Sequence, residues 1–158
     1  MPTWSSEIAN EFIRLAAIDD RAFDQLQLQA LVNIAHGWRL ADCGEPLTGD
    51  RPEARAFGPL YQRLAEAFAS YGEDPVLEQI EVRFHSDLDQ SETDLIEDIY
   101  QTHGHFESWQ LASLTSGNDA PWSVVFANGS GEHRDIPHRL IRSQFVDLLD
   151  RSEASQAR

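Results

Sequence analysis

Apolar positions recur at three- and four-residue spacing through most of the chain, which sets them on one face of a helix. Ile8, Phe12, Leu15 and Ala16 mark a first amphipathic helix over 8–18. Ser5 or Ser6 is available to cap it, and Glu7 stands near the positive end of its dipole. A second helix opens after Asp24, a good N-cap, and runs to about Asp42. Leu28, Leu31, Val32, Ala35 and Trp38 form its wide face, and Ala30, Ile34, Gly37 and Ala41 a narrow one. The small residues of the narrow face admit close approach of another helix, so burial on two sides is expected. Gly44 suits a left-handed cap, and Pro46 prevents continuation.

Residues 45–58 carry Pro, Gly and Asp in turn-forming positions, which predicts a loop with one short hairpin. Gly58-Pro59 then reads as the opening of a third helix, with Pro59 at its first position, where no amide is needed. Leu60, Leu64, Ala67, Phe68 and Tyr71 would be its core stripe and Gly72 its end. The signal over 73–90 is mixed: Val76, Leu77, Ile80 and Phe84 suit a short helix, whereas 80–84 alternate like a strand. A helix or an irregular connection is the favoured reading. Ser91 is expected to cap a fourth helix ending at His103-Gly104, with Leu95, Ile96, Ile99 and Tyr100 inward. A short helix over 107–115 carries Trp109, Leu111, Ala112 and Leu114. Asp119-Ala120-Pro121-Trp122 starts another, through Ala127. Residues 128–134 read as a flexible loop. Asp135 is expected to cap a last helix bearing Ile136, Leu140, Ile141, Phe145, Leu148 and Leu149. The whole is a mainly α, compact single-domain bundle of about six or seven helices over 1–150, with one short β-hairpin near 45–58 and a frayed tail over 151–158.

Composition adds one constraint to this picture. Twenty-seven acidic side chains oppose twelve basic ones, all Arg, for a formal charge of −15. Such a surface opposes direct nucleic-acid binding and anionic membranes, and favours a basic protein partner. The longest strongly apolar run, 124–127, falls far short of the ~20 residues needed to span a bilayer. The first residues lack the basic start and apolar stretch of a signal peptide. With one cysteine, Cys43, no internal disulfide can form. A cytoplasmic protein is the simplest reading.

The chemistry-bearing residues form no recognisable constellation. His103 and His105 are two apart and His133 and His138 five apart, without the Cys pairs or the His-Glu-x-x-His pattern of zinc sites, so no metal and no cofactor is expected. Cys43 reads as a small core hydrophobe at the end of a buried helix. No nucleophile elbow and no phosphate-binding Gly-Lys-Ser/Thr loop occurs. Carboxylate pairs such as Asp19-Asp20 and Asp94 with Asp98 read as solvated helix faces. A binding protein and not an enzyme is the expectation.

The stretch Leu26 to Ala41, LQLQALVNIAHGWRLA, leads through Gly44-Glu45-Pro46-Leu47 to Glu53-Ala54-Arg55-Ala56-Phe57-Gly58-Pro59. With Leu111 to Thr115, Pro121-Trp122 and the closing 136–145 segment in the same order, this resembles the Panacea domain family. That is the SocA-like antitoxin family, which includes phage-associated GepA-like proteins. The resemblance covers about residues 5–146. The chain departs from the family's usual residues at Ala30 (Lys), Asn33 (Tyr), Arg55 (Trp) and Ser116 (His). The resemblance implies an antitoxin that neutralises a co-encoded protein toxin by direct contact, and in one branch an adaptor to a AAA+ protease. It further implies a partner surface among Gln29, Asn33, His36, Trp38, Arg55, Phe57 and Trp122. Packing and turn formation account equally well for Gln29, His36, Trp38, Gly58, Pro59 and Trp122.

Two other functions are compatible with the sequence. The charge suits an acidic nucleic-acid mimic that blocks a host nuclease or defence complex. A hydrolase would have to use His36 with the acids of the 45–58 loop, and its turnover would vanish in a folded His36→Ala protein.

Overall fold

The computed structural model describes residues 3–56, 58–82, 88–115 and 120–156. Among them are seven α-helices and one two-stranded antiparallel hairpin. The helices are α1 (Ser5–Ile18), α2 (Gln25–Cys43), α3 (Gln62–Phe68), α4 (Gln90–His103), α5 (Ser108–Thr115), α6 (Pro121–Phe126) and α7 (His138–Gln156); the strands are β1 (Glu53–Arg55) and β2 (Gly58–Leu60). The mainly α bundle with a single small hairpin is as expected.

Helix α2 is the centre of the fold. Every residue from Leu28 to Gly37 is buried, and α1, α4, α5 and α7 all pack on it. Its ends follow the local chemistry. The Asp24 carboxylate accepts from the Gln27 amide at 2.7 Å while the Gln27 side chain accepts from the Asp24 amide at 2.9 Å, a reciprocal cap. Gly44, at φ 77°, takes the left-handed turn that closes the helix. The small narrow face has the expected consequence. Gly37 lies so close to the Phe145 ring of α7 that a Cβ there would approach Cζ to 2.6 Å and Cδ2 and Cε2 more closely still. Cys43, expected in the core, is exposed, because the last turn of α2 extends beyond the helices that cover its middle.

Several local expectations yield to long-range pairing. Gly58-Pro59 does not open a helix; residues 58–60 form β2, and α3 starts at Gln62. In the hairpin Ala54 faces Pro59, between the pairs Glu53–Leu60 and Arg55–Gly58. The amide and carbonyl of Ala54 point away from β2, to Arg134 O and the His133 amide, each at 2.8 Å. Pro59 therefore owes its partner strand no amide, which is why proline is tolerated there. Gly58, at φ 128°, adopts a conformation open to glycine. The same pairing fixes residues 133–136 against β1, so the expected flexible loop is hydrogen-bonded to the hairpin at its C-terminal end. Asp135 joins an isolated bridge with Glu53 and does not cap α7. The cause is Pro137, which biases Ile136 to extended backbone and delays the helix to His138.

Asp89, not Ser91, caps α4; its carboxylate accepts from the Glu92 amide at 2.8 Å and from the Ser91 hydroxyl at 2.7 Å. A charged acceptor is the stronger one for a helix N-terminus. Residues 73–82 form an irregular connection, anchored where the Val76 amide donates to Phe23 O at 2.8 Å. The strand-like 80–84 pattern falls partly outside the described residues, as do Phe57, Ser116 and Asp119. No helix among the described residues is long and apolar enough to cross a membrane.

Candidate functional site

The residues singled out in the sequence divide between an interior polar chain and a surface groove. Gln29 is buried, and its amide clamps the backbone of Tyr61: Oε1 accepts from the Tyr61 amide at 2.8 Å and Nε2 donates to the Tyr61 carbonyl at 3.1 Å. One turn on, Asn33 Oδ1 accepts from the Tyr61 hydroxyl at 3.2 Å. Burial raises the Tyr61 pKa well above its ordinary value, with the Asp50 carboxylate adding to the effect.

His36 follows on the same helix and is fully buried. Its Nδ1 accepts from the amides of Leu47 and Thr48 at 3.2 and 3.4 Å, so that nitrogen carries no proton. The neutral ring then holds its proton on Nε2, 3.0 Å from Nδ1 of His138. Desolvation, and secondarily His138, lowers the His36 pKa to about 3. Burial, and secondarily Arg51, also lowers that of His138. Both nitrogens of His36 are used inside the fold. The segment it holds is further tied to α1, where the Ser5 amide donates to Asp50 at 2.8 Å and the Ser5 hydroxyl donates to the same carboxylate. Gln29, Asn33 and His36 thus face inward and join α2 to Tyr61 at the start of α3, to α7 and to the 45–52 segment. Trp38 packs edge-on against Phe145, ring centroids 5.1 Å apart. Trp122 stacks on Phe126 and donates from Nε1 to the Arg55 carbonyl at 2.5 Å.

The surface feature is a groove of about 560 Å³ between α2, β2 and α5, lined chiefly by Leu26, Ala30, Pro59, Leu60, Trp109 and Ala112. Gln29 forms part of its floor and Arg55 lies at its margin. Among the described lining residues Arg55 is the one ionisable group, and its guanidinium is 3.5 Å from Glu53. Asn33 and Trp122 line a narrow adjoining crevice that shares Pro59. Four of the seven predicted residues therefore gather at or beside this groove, while His36 and Trp38 lie elsewhere and Phe57 is outside the described residues.

Sequence reasoning missed the two most exposed walls, Leu26 and Trp109, which are 59% and 68% exposed. The signal for Trp109 was present. At 100° per residue, Trp109 and Leu111 lie about 200° apart on α5. They cannot both be core, and Leu111 is fully buried. Among the described residues no cluster of three or more His, Cys, Asp or Glu side chains is positioned to hold a metal ion.

Residues 28–123 match the family described as antitoxin SocA-like, Panacea domain. The chain is 29% identical over 149 residues to the antitoxin SocA of Caulobacter vibrioides (strain NA1000 / CB15N), covering 89% of this chain and 79% of that protein. No solved structure matches it. Ala30 and Arg55, two of the positions that the sequence resemblance marked as departures, line the groove, and a third, Asn33, lines the adjoining crevice. The chain belongs to the SocA-like antitoxin, Panacea domain family.

Proposed function

We propose that this member of the family is an antitoxin that neutralises a co-encoded protein toxin by direct, non-catalytic contact in the cytoplasm. The observation that carries the reading is the family match across residues 28–123. Two features of the molecule support it. The chain has a formal charge of −15, which speeds the approach of a basic partner. The groove between α2, β2 and α5 is apolar and the Gln29 amide beneath it is engaged within the fold, as in a surface built for protein contact.

Co-expression tests the proposal. Small reading frames adjacent to the gene are expressed alone and together with this chain. One of them is expected to arrest growth alone and to be harmless with the chain present. Arrest that persists in every pairing refutes the reading. Delivery of the bound toxin to a AAA+ protease is the further part of the proposal and rests on the family alone; it predicts a shorter toxin half-life when chain and protease are both present. The net charge favours one alternative, the acidic nucleic-acid mimic, for which DNA or RNA would displace the partner in competition.

A further inference from the structure

The apolar groove does not end at Ser108. A second depression of about 580 Å³ shares Leu26 and Ser108 with it and is completed by Asp24, Gln25, Gly72 and Glu73. The two form one trench, with an apolar floor of Ala30, Leu60 and Ala112, walls of Leu26 and Trp109, and an acidic mouth at Asp24 and Glu73. Resting on the antitoxin reading, we propose that this trench seats an amphipathic helix of the toxin, apolar face on Leu26, Leu60 and Trp109 and basic end at the Glu73 mouth.

Three observations select that occupant. First, the trench makes few polar demands. The Trp109 indole N–H is already donated to Glu107 at 3.1 Å, and both ends of the Gln29 amide are held by Tyr61. The exposed indole offers a partner its ring surface, which suits aliphatic side chains and not a polar small molecule. Second, β2 is a poor template for an added strand. Gly58 and Leu60 turn their backbone groups to β1, and the intervening Pro59 has no amide proton to give. With strand addition disfavoured, helix-in-groove packing is the mode that suits a trench poor in donors, because a helix satisfies its own backbone whereas an extended segment needs partners for its carbonyls. Third, the charge at the mouth is complementary to a helix start. Helix N-termini carry partial positive charge, and Lys or Arg in that region would face Glu73, which is exposed on the 72–74 turn. The charge of −15 over the whole chain acts in the same direction.

The test uses the toxin found by co-expression and overlapping peptides that span it. Trp109→Ala and Leu26→Ala, alone and together, truncate exposed side chains, so folding is checked by circular dichroism and expected to be intact. Each is expected to raise the toxin Kd by ~10–100-fold, as for groove anchors, and the pair to abolish growth rescue. Glu73→Arg is expected to slow association several-fold at low salt and to lessen its salt dependence. One peptide with an i, i+3, i+4, i+7 apolar stripe should compete for the toxin site and lose that effect against Trp109→Ala. A toxin bound and neutralised equally well by all three variants overturns the trench while leaving the antitoxin reading intact. A trench that instead mediates self-association, seen as a dimer lost in Trp109→Ala with toxin affinity unchanged, also overturns it. Failure of the wild-type chain to rescue any neighbour removes both proposals together.

Discussion

Replacing Gly37 by Ala tests the central packing of the molecule. In an exposed helix interior this change stabilises by about 1 kcal/mol, because alanine surrenders less backbone entropy. Here the added Cβ would approach the Phe145 ring to 2.6 Å at Cζ and closer at two further ring atoms. Carbon atoms prefer roughly 3.5–4.0 Å, so the ring must retreat by about 1 Å or more. It has little room: Phe145 is 2% exposed and its ring abuts Trp38. Overpacking of this kind costs about 1–3 kcal/mol, and complete displacement of the ring would approach the ~3–5 kcal/mol of a Phe→Ala change. The net expectation is destabilisation by about 1–2 kcal/mol, a fall of roughly 2–8 °C in Tm. Urea titration followed by tryptophan fluorescence measures it, since Trp38 reports on the same contact. A double variant with Phe145→Leu should cost less than the two single changes summed, by about 1 kcal/mol. If Gly37→Ala instead raised stability by about 1 kcal/mol, with no coupling to position 145, the close approach of α2 and α7 described above would be wrong.

Gln29→Leu keeps the volume but strands the Tyr61 amide and carbonyl in the interior; it is expected to cost about 2–4 kcal/mol in urea unfolding, and an unchanged midpoint would contradict the clamp. The His36 pair predicts acid sensitivity. With a folded pKa of about 3 against an unfolded value near 6.5, the unfolded chain binds the proton first. The stabilising contribution is therefore complete above pH 6.5 and declines as pH falls towards 3, by about 1.4 kcal/mol between pH 7.5 and 5.5 from His36 alone. His36→Gln should be less stable at pH 7.5 yet flatter over that interval, and an identical slope in the two proteins would exclude the assignment. Cys43, exposed at the end of α2, should react with a thiol reagent in the native state at the rate of a free thiol without loss of helicity; slow reaction limited by unfolding would return it to the core.

Some of the candidate site was legible in advance. The order and residue types of 26–59 led to Gln29, Asn33 and Arg55, and the later Pro121-Trp122 motif led to Trp122; the structure gathers all four in or beside one groove. Their orientation was not legible, because a polar residue on a buried helix face is tolerable only where another segment brings it a partner. Gln29 is inside because Tyr61 meets it, and His36 because the 47–48 amides and His138 do. Trp109 shows the converse: helical phase alone said that it or Leu111 must face outward, and only the packing of α5 on α2 decided which.

The sequence by itself determined the helices whose information is local. The 3.6-residue periodicity, the Asp24 cap and the left-handed Gly44 located α2, and the same kind of signal located α1, α4 and α5 to within a few residues, since a helix closes its hydrogen bonds within its own segment. It also determined, through ordered motifs, the family. The tertiary structure decided what depends on distant partners. Gly58-Pro59 became a strand because β1 lay opposite, and β1 in turn took its other partners from residues 133–136, some eighty positions away. The trench exists only where α2, β2 and α5 meet, for no single segment contains both of its walls.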